Sequence, residues 1–214
     1  NPGLFGDAMK EVVDAGDTAI VITVSSKLSG TYQSAMIAAE DFEGKVFVVD
    51  SENVCVAERL LVYRGLELRY LGLSAEEIVA QLNIEKKKIR LLALLDTLEY
   101  LKKGGRISSA VAFAGTLLSI KPVVSVVEGE IVMLGKARGS KQGNNLLREL
   151  TMRGNGVDFS KPYALAYSGL SDSLLKKYIA DSSELYSTHT DELPITTVGC
   201  VIGTHAGPGA IAVA

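Results

Sequence analysis

The chain has 214 residues, 47% of them hydrophobic, and its 22 basic and 25 acidic residues give a formal net charge of −3. This composition predicts a globular protein with a substantial core, and the lack of a basic excess excludes an ordinary nucleic-acid partner. Cys55 and Cys200 belong to no zinc-binding pattern, and the longest uncharged run, residues 107–120, is too short to cross a bilayer. We therefore expect no metal, no cofactor and no membrane span.

The first part of the chain alternates helices with apolar strands. Predicted in chain order are a helix ending near residue 15, a strand at 18–24, a helix at 31–40, a strand at 46–49, a helix at 56–70 and a capped helix at 74–88. Buried strands that alternate with helices indicate parallel crossovers. Residues 1–88 are thus predicted to form an α/β domain with a parallel sheet.

The pattern changes after residue 88. Predicted next are a strand at 91–95, a helix at 98–103, a hairpin of 123–127 and 131–134, helices at 141–152 and 171–186, and strands at 163–166, 196–202 and 210–213. A hairpin among parallel strands makes the sheet mixed. We expect a second α/β domain at residues 89–214, with a ligand groove between the two domains.

The junction at residues 25–33 joins the first strand to a helix through hydroxyl residues. Ser29, Gly30 and Thr31 stand where backbone N–H groups have no partner within the helix, so they suit a carboxylate or phosphate. Serine at such a position also caps helices without any ligand. The sequence leaves both interpretations open.

A glycine-rich segment at residues 199–209 contains His205, which is predicted to lie in a turn directly after a strand. A single histidine in a loop usually has no catalytic role. However, Gly207 and its neighbouring glycines allow a ligand to approach the backbone closely, so a structural and a functional role for His205 both remain open.

Two arginines have both structural and functional interpretations. Arg106 follows the double glycine Gly104-Gly105 and can either bond a helix-end carbonyl or orient a carboxylate. Arg138 lies in the basic turn at residues 136–141, which is either solvated charge or a docking point for an acidic partner.

Several ordered blocks together resemble the DegV family over nearly the whole chain. They are S-S-K-L-S-G-T-Y-Q-S-A at 25–35, V-V-D-S at 48–51, D-T-L-E-Y-L-K-K-G-G-R-I-S at 96–108, I-K-P at 120–122 and G-C-V-I-G-T-H-A-G-P-G at 199–209. The resemblance implies a three-layer α/β/α domain with a parallel sheet, followed by an α/β domain with a mixed six-stranded sheet.

The resemblance also implies a function. DegV-like proteins bind a long-chain fatty acid, and the better-understood members present its carboxyl group to a separate kinase, so a cytoplasmic bacterial carrier is expected rather than an enzyme. Ser29 matches the serine that bonds the carboxylate, with Gly30 and Thr31 beside it, and His205 matches a histidine near the head group, with Gly207 beside it. Arg106 matches an arginine that organises the polar network, and Arg138 matches one implicated in kinase docking.

The chain departs from the family at its start. Members usually begin with about sixty further residues, including a T-S-Q-P segment whose threonine also contacts the carboxylate, whereas this sequence starts at Asn1-Pro2-Gly3. Lacking that segment, the first domain is expected to miss one or two strands and one ligand of the head group.

Two other functions remain open at this stage. A dihydroxyacetone-kinase-like substrate subunit would use His205 to bond a small ketone covalently. A Ser/His lipid hydrolase would use Ser29 as its nucleophile, although the sequence contains no G-x-S-x-G elbow.

Overall fold

The computed structural model describes residues 1–107, 119–153, 156–189 and 191–214. The chain divides into two compact units. The first comprises Asn1–Ile89 together with Glu128–Glu130, and the second comprises Arg90–Val127 and Ile131–Ala214.

The first unit alternates helices and strands as the sequence predicts. Its elements are α1 (Pro2–Asp14), β1 (Ala19–Thr23), α2 (Thr31–Ala39), β2 (Val46–Asp50), α3 (Val56–Tyr70) and α4 (Ala75–Glu85), with 3₁₀ turns at Glu40–Phe42 and Lys86–Lys88. Strands β1 and β2 pair in parallel from Ala19–Val46 to Thr23–Asp50. The capping box that starts α4 is confirmed, with Ser74 and Glu77 each bonding the other's backbone N–H.

Alternate residues of β1 pack into two different cores. Ile20 and Ile22 pack with residues of α3 and α4, whereas Ala19 and Val21 pack with residues of α1 and α2. Since successive side chains of a strand point to opposite faces, one helix pair covers each face of the sheet. The first unit therefore has three layers, α/β/α.

The second unit contains the larger sheet. Its elements are β3 (Leu92–Leu94), α5 (Glu99–Lys103), β4 (Ile120–Val127), β5 (Glu130–Arg138), α6 (Ser140–Arg153), β6 (Leu165–Tyr167), α7 (Ser173–Asp181), α8 (Ser183–Tyr186), β7 (Ile195–Thr197), α9 (Cys200–Ala206) and β8 (Ile211–Val213). The strand order is β5-β4-β3-β8-β6-β7. Strand β3 is antiparallel to β4 and β8, β6 is antiparallel to β8, and β6 is parallel to β7, so the predicted mixed six-stranded sheet is confirmed.

Helices cover both faces of this sheet. One core joins β3, β4, β6 and β8 to α6, α7 and α8, and it includes the buried side chains of Leu147, Leu175 and Tyr186. The other core contains Leu98 and Leu101 near α5, together with Ala206 at the end of α9. Helices α5 and α9 also contact each other, and this contact brings several of the predicted site residues together.

Two predictions about the second unit are wrong. The strand predicted at 196–202 stops at Thr197, and Cys200–Ala206 forms α9, so His205 lies in the last turn of a helix rather than in a turn after a strand. Val201 and Ile202 favour strands locally, but the extended N-cap Gly199 starts a helix whose packing against α5 overrides that preference. The helix predicted at 171–186 is broken at Ser182, where φ is −119° and ψ is 30°.

Candidate functional site

The connection from β1 to α2 is held by the buried side chain of Ser25. Its Oγ donates to the carbonyl oxygen of Gly129 at 2.7 Å, and its backbone N–H donates to the carbonyl of Asn53 at 2.8 Å. The Ser25 carbonyl accepts the N–H groups of Leu28 and Ser29 at 3.0 and 3.1 Å. The position of Ser29 is therefore fixed through Ser25.

Two hydroxyl groups stand side by side where α2 begins. Ser29 Oγ and Thr31 Oγ1 are 2.8 Å apart, and Ser29 Oγ also accepts the Thr31 N–H at 3.3 Å. One hydroxyl donates its hydrogen to the other. The hydroxyl that accepts still has its own hydrogen, because no other described residue accepts a hydrogen bond from either group. The N-cap is Gly30, which has no side chain to cap the helix, so this end of α2 suits an anion.

The connection from β2 to α3 supports the one from β1 to α2. Asp50 Oδ1 accepts the backbone N–H groups of Ser26 at 3.2 Å and Glu52 at 2.9 Å. Lys86, only 8% exposed, donates from Nζ to the Asp50 carbonyl and forms an ion pair with Glu52, both at 2.9 Å. These contacts hold Glu52 at a φ of 52°, a conformation that non-glycine residues rarely adopt.

Two titratable groups at the start of α3 are partly buried. Burial raises the pKa of the Glu58 carboxyl to about 7 and also raises the pKa of the Cys55 thiol. The thiol is therefore a poor nucleophile at neutral pH. Glu58 therefore changes its charge near neutral pH.

In the second unit, the imidazole of His205 lies against Gly104. A Cβ atom built on Gly104 would lie 2.1 Å from His205 Nδ1 and 2.6 Å from Cε1. Nδ1 is buried and has no hydrogen-bond partner among the described residues. Nε2 lies farther from that built Cβ than either of these atoms, which leaves it as the ring nitrogen suited to a ligand.

Arg106 contacts the same glycine as His205. Its Nη1 donates to the Gly104 carbonyl oxygen at 2.6 Å, while its backbone N–H donates to the Leu101 carbonyl at 2.9 Å and closes α5. The prediction that Arg106 bonds a carbonyl at the end of the helix is therefore confirmed. The structure brings Arg106 and His205 together at Gly104.

Gly207 follows α9 and lies against the ring of Tyr100. Its φ is 77°, and a Cβ built on it would lie 2.3 Å from Tyr100 Cδ2. The chain needs glycine here both for the backbone conformation and for the space. Gly207 thus contributes to the packing of α9 against α5, whatever its role toward a ligand.

Arg138 ends strand β5, at the edge of the six-stranded sheet, and its side chain is exposed. Its backbone N–H donates to the Gln142 side chain at 3.3 Å. The docking role of Arg138 remains a prediction, as do the ligand roles of Ser29, Gly30, Thr31, Arg106, His205 and Gly207.

Sequence reasoning missed three residues that shape these two sites. Gly104 was interpreted only as a helix stop, Tyr100 was given no role, and Ser25 was not identified as the anchor of its turn. All three act through partners that are distant in the sequence, and no local pattern predicts such contacts.

Neither a metal site nor a membrane-spanning helix is found in the described part of the chain. No group of three or more His, Cys, Asp or Glu residues there can hold a metal ion. None of the helices described combines the length and the apolarity that crossing a bilayer requires.

Comparison with known proteins agrees with the α/β fold that the sequence predicted. The family model described as "Uncharacterised protein, DegV family" matches residues 1–214. The chain belongs to the DegV family.

Three relatives show the extent of the similarity. A DegV domain-containing protein of Caldanaerobacter subterraneus is 32% identical over 215 residues, covering 100% of this chain and 75% of the relative. The structure of a DegV family protein from Thermus thermophilus, described by its fatty acid binding, has a TM-score of 0.84 and 30% identity, covering 100% of this chain and 75% of that one. A DegV family protein from Eubacterium eligens loaded with heptadecanoic acid has a TM-score of 0.80 and 26% identity, covering 97% of this chain and 76% of that one.

Proposed function

We propose that this protein binds a long-chain fatty acid and acts as its carrier. The observation that carries this proposal is the similarity to the Eubacterium eligens protein, which was solved with heptadecanoic acid bound. The similarity to the Thermus thermophilus fatty-acid-binding protein supports the same ligand class.

The hydroxyl pair at the start of α2 suits the carboxylate of such a ligand. A buried carboxylate is costly unless hydrogen bonds replace its water shell. Ser29 and Thr31 retain one hydroxyl hydrogen to donate, and α2, whose N-cap Gly30 has no capping side chain, adds backbone N–H groups at the positive end of its dipole. Gly30 leaves room for the ligand because a Cβ built on it has no atom within 4 Å.

We assign a head-group role to His205 as well. Nδ1 is buried without a partner among the described residues, so a proton on Nε2 is better placed to find an acceptor. Arg106 adds a fixed positive charge at Gly104, and Gly207 supports His205 by letting α9 pack against the Tyr100 ring. In this role His205 donates a hydrogen bond and forms no covalent bond.

The acyl chain supplies most of the affinity in this proposal. Burying about fourteen methylenes at ~0.8 kcal/mol each offers roughly 11 kcal/mol before the costs of ordering the chain. The head group then contributes orientation more than affinity.

The carrier role includes a partner kinase that phosphorylates the bound carboxyl group. The support for this step is the family resemblance and the exposed position of Arg138 at a sheet edge, where an acidic surface can reach it. An ATP-dependent partner would locate the step in the cytoplasm.

Native mass spectrometry of the purified protein tests the proposal. We expect a bound species with the mass of a long-chain fatty acid, and weaker binding in Ser29→Ala and His205→Ala. Ser26→Ala is the matched control, because this exposed serine precedes α2 in the same turn and should bind as the wild type does. Failure of the wild-type protein to bind any fatty acid would refute the proposal.

A further inference from the structure

The two glycines that end α5 meet different requirements. Gly105 has a φ of +69°, which favours glycine, and a Cβ built on it meets no atom within 4 Å. Gly104 has a φ of −75° and a ψ of −8°, which any residue adopts. Backbone conformation therefore explains Gly105 but not Gly104.

Space explains Gly104. A Cβ at this position would lie 2.1 Å from His205 Nδ1, whereas the nearest backbone atom, the Tyr100 carbonyl oxygen, would lie at 3.3 Å. The first distance is far inside van der Waals contact, and the second needs only a small adjustment. The group that must move is therefore the imidazole, a side chain, rather than the backbone of α5.

No described residue forms a hydrogen bond with Nδ1 that would orient the ring of His205. Functional histidines are commonly oriented by a hydrogen bond at the second ring nitrogen, but Nδ1 of His205 has no such partner among the described residues. Contact with the bare Cα of Gly104 takes the place of that bond.

We propose that Gly104 is a positioning residue, whose missing side chain leaves the space that the Nδ1 edge of His205 occupies and so directs Nε2 to the ligand. The effect of Gly104 on ligand affinity rests on the proposed fatty-acid binding, whereas its effect on the orientation of the imidazole does not. Any side chain at position 104 displaces the imidazole while the backbone keeps its conformation.

A double-mutant cycle measures the consequence for the ligand. Dissociation constants for heptadecanoic acid are determined for the wild type, Gly104→Ala, His205→Ala and the double variant. We expect each single variant to bind about tenfold more weakly or worse, and the double variant to bind no more weakly than His205→Ala alone. Wild-type affinity in Gly104→Ala, or a further loss when it is added to His205→Ala, would overturn the proposal.

The ring itself is tested without a ligand. The chain has two histidines, so the imidazole signals of His189 and His205 are readily assigned by NMR. Gly104→Ala should shift the signals of His205 and leave those of His189 unchanged. Gly105→Ala, the matched control, should lower the melting temperature because of its positive φ and yet leave the His205 signals in place.

The binding measurement and the NMR measurement together distinguish a failure of the proposed function from a failure of the positioning role. If the wild type binds no fatty acid, the proposed function fails, and the His205 signals still decide whether Gly104 positions the ring. Unshifted His205 signals in Gly104→Ala would reject the positioning role even if fatty acid binds. Should Gly104→Ala fold poorly, the double variant with His205→Ala should recover, since the clash is gone; an equally poor fold would also reject the proposal.

Discussion

Ser25 donates a hydrogen bond of 2.7 Å from Oγ to the carbonyl oxygen of Gly129, across 104 positions of sequence. Gly129 has a φ of 83°, and a Cβ built on it would lie 2.7 Å from the same Oγ. The contact thus requires glycine in the turn between β4 and β5, and a small hydroxyl residue at position 25.

Ser25→Ala should destabilise the protein. Ser25 is fully buried, so the Gly129 carbonyl would lose its partner without gaining water, at a cost of about 1–3 kcal/mol. Urea unfolding measures the change in the free energy of unfolding. Ser26→Ala, in the exposed neighbouring position, should change it by less than about 0.5 kcal/mol, and equal losses in both variants would contradict the assignment.

Glu58→Gln should flatten the dependence of stability on pH. Burial raises the pKa of Glu58 from its ordinary value of 4.5 to about 7, so between these two pH values the folded state keeps a proton that the unfolded state has released. The resulting stability is fully present below pH 4.5 and is lost as pH rises through about 7. Glutamine mimics the neutral acid and removes this loss.

The measurement is urea unfolding of wild type and variant at pH 5 and pH 8. The wild type should lose more stability between the two conditions than Glu58→Gln does. Glu76→Gln changes an exposed carboxyl in the first turn of α4 and serves as the control. Parallel pH profiles for the wild type and Glu58→Gln would count against the burial of a protonated Glu58.

Gly207→Ala should destabilise the second unit for two separable reasons. The positive φ costs about 1 kcal/mol or more for alanine, and the new Cβ would press on the Tyr100 ring. In a Tyr100→Ala background only the backbone cost remains, so the penalty should shrink without vanishing. Unfolding free energies of the four proteins test this, and an unchanged penalty would remove Tyr100 from the explanation.

Single changes in the hydroxyl pair of α2 should weaken fatty-acid binding less than the double change does. In Ser29→Ala or Thr31→Val the remaining hydroxyl can still donate to the carboxylate, so a loss of a few-fold is expected. The double variant has no hydroxyl left, so its loss of affinity should exceed the product of the two single losses and be about tenfold or more. Titration with heptadecanoic acid supplies the constants, and simple additivity would argue that the two hydroxyls act independently.

Arg138→Ala should leave fatty-acid binding unchanged while slowing phosphorylation of the bound acid by the proposed partner kinase. Arg138 is exposed at the end of β5, so removing its side chain disturbs no core. Lys141→Ala removes an exposed charge of the same sign nearby and controls for net charge. Equal rates of phosphoryl transfer for Arg138→Ala and wild type would exclude Arg138 from docking.

Local patterns predicted most of the elements but not the contacts between them. The helix at Val56–Tyr70 has the predicted bounds, and the capping box at Ser74 lies where the sequence indicated, because both depend on neighbouring residues. The strand predicted at 196–202 includes the first three residues of the helix at Cys200–Ala206, because Val201 and Ile202 favour strands, and packing against α5 overrides that preference. The contact between Gly104 and His205 belongs to the same pair of helices, so the sequence alone could not predict it.

The paired hydroxyls of Ser29 and Thr31 affect how many different fatty acids the proposed carrier can bind. Because either oxygen can give up the spare hydrogen, a carboxylate can shift by about the 2.8 Å that separates them and still be met by a donor. Under the proposed function, this pair should accept a carboxylate at either of two neighbouring positions, whereas a single serine would favour one.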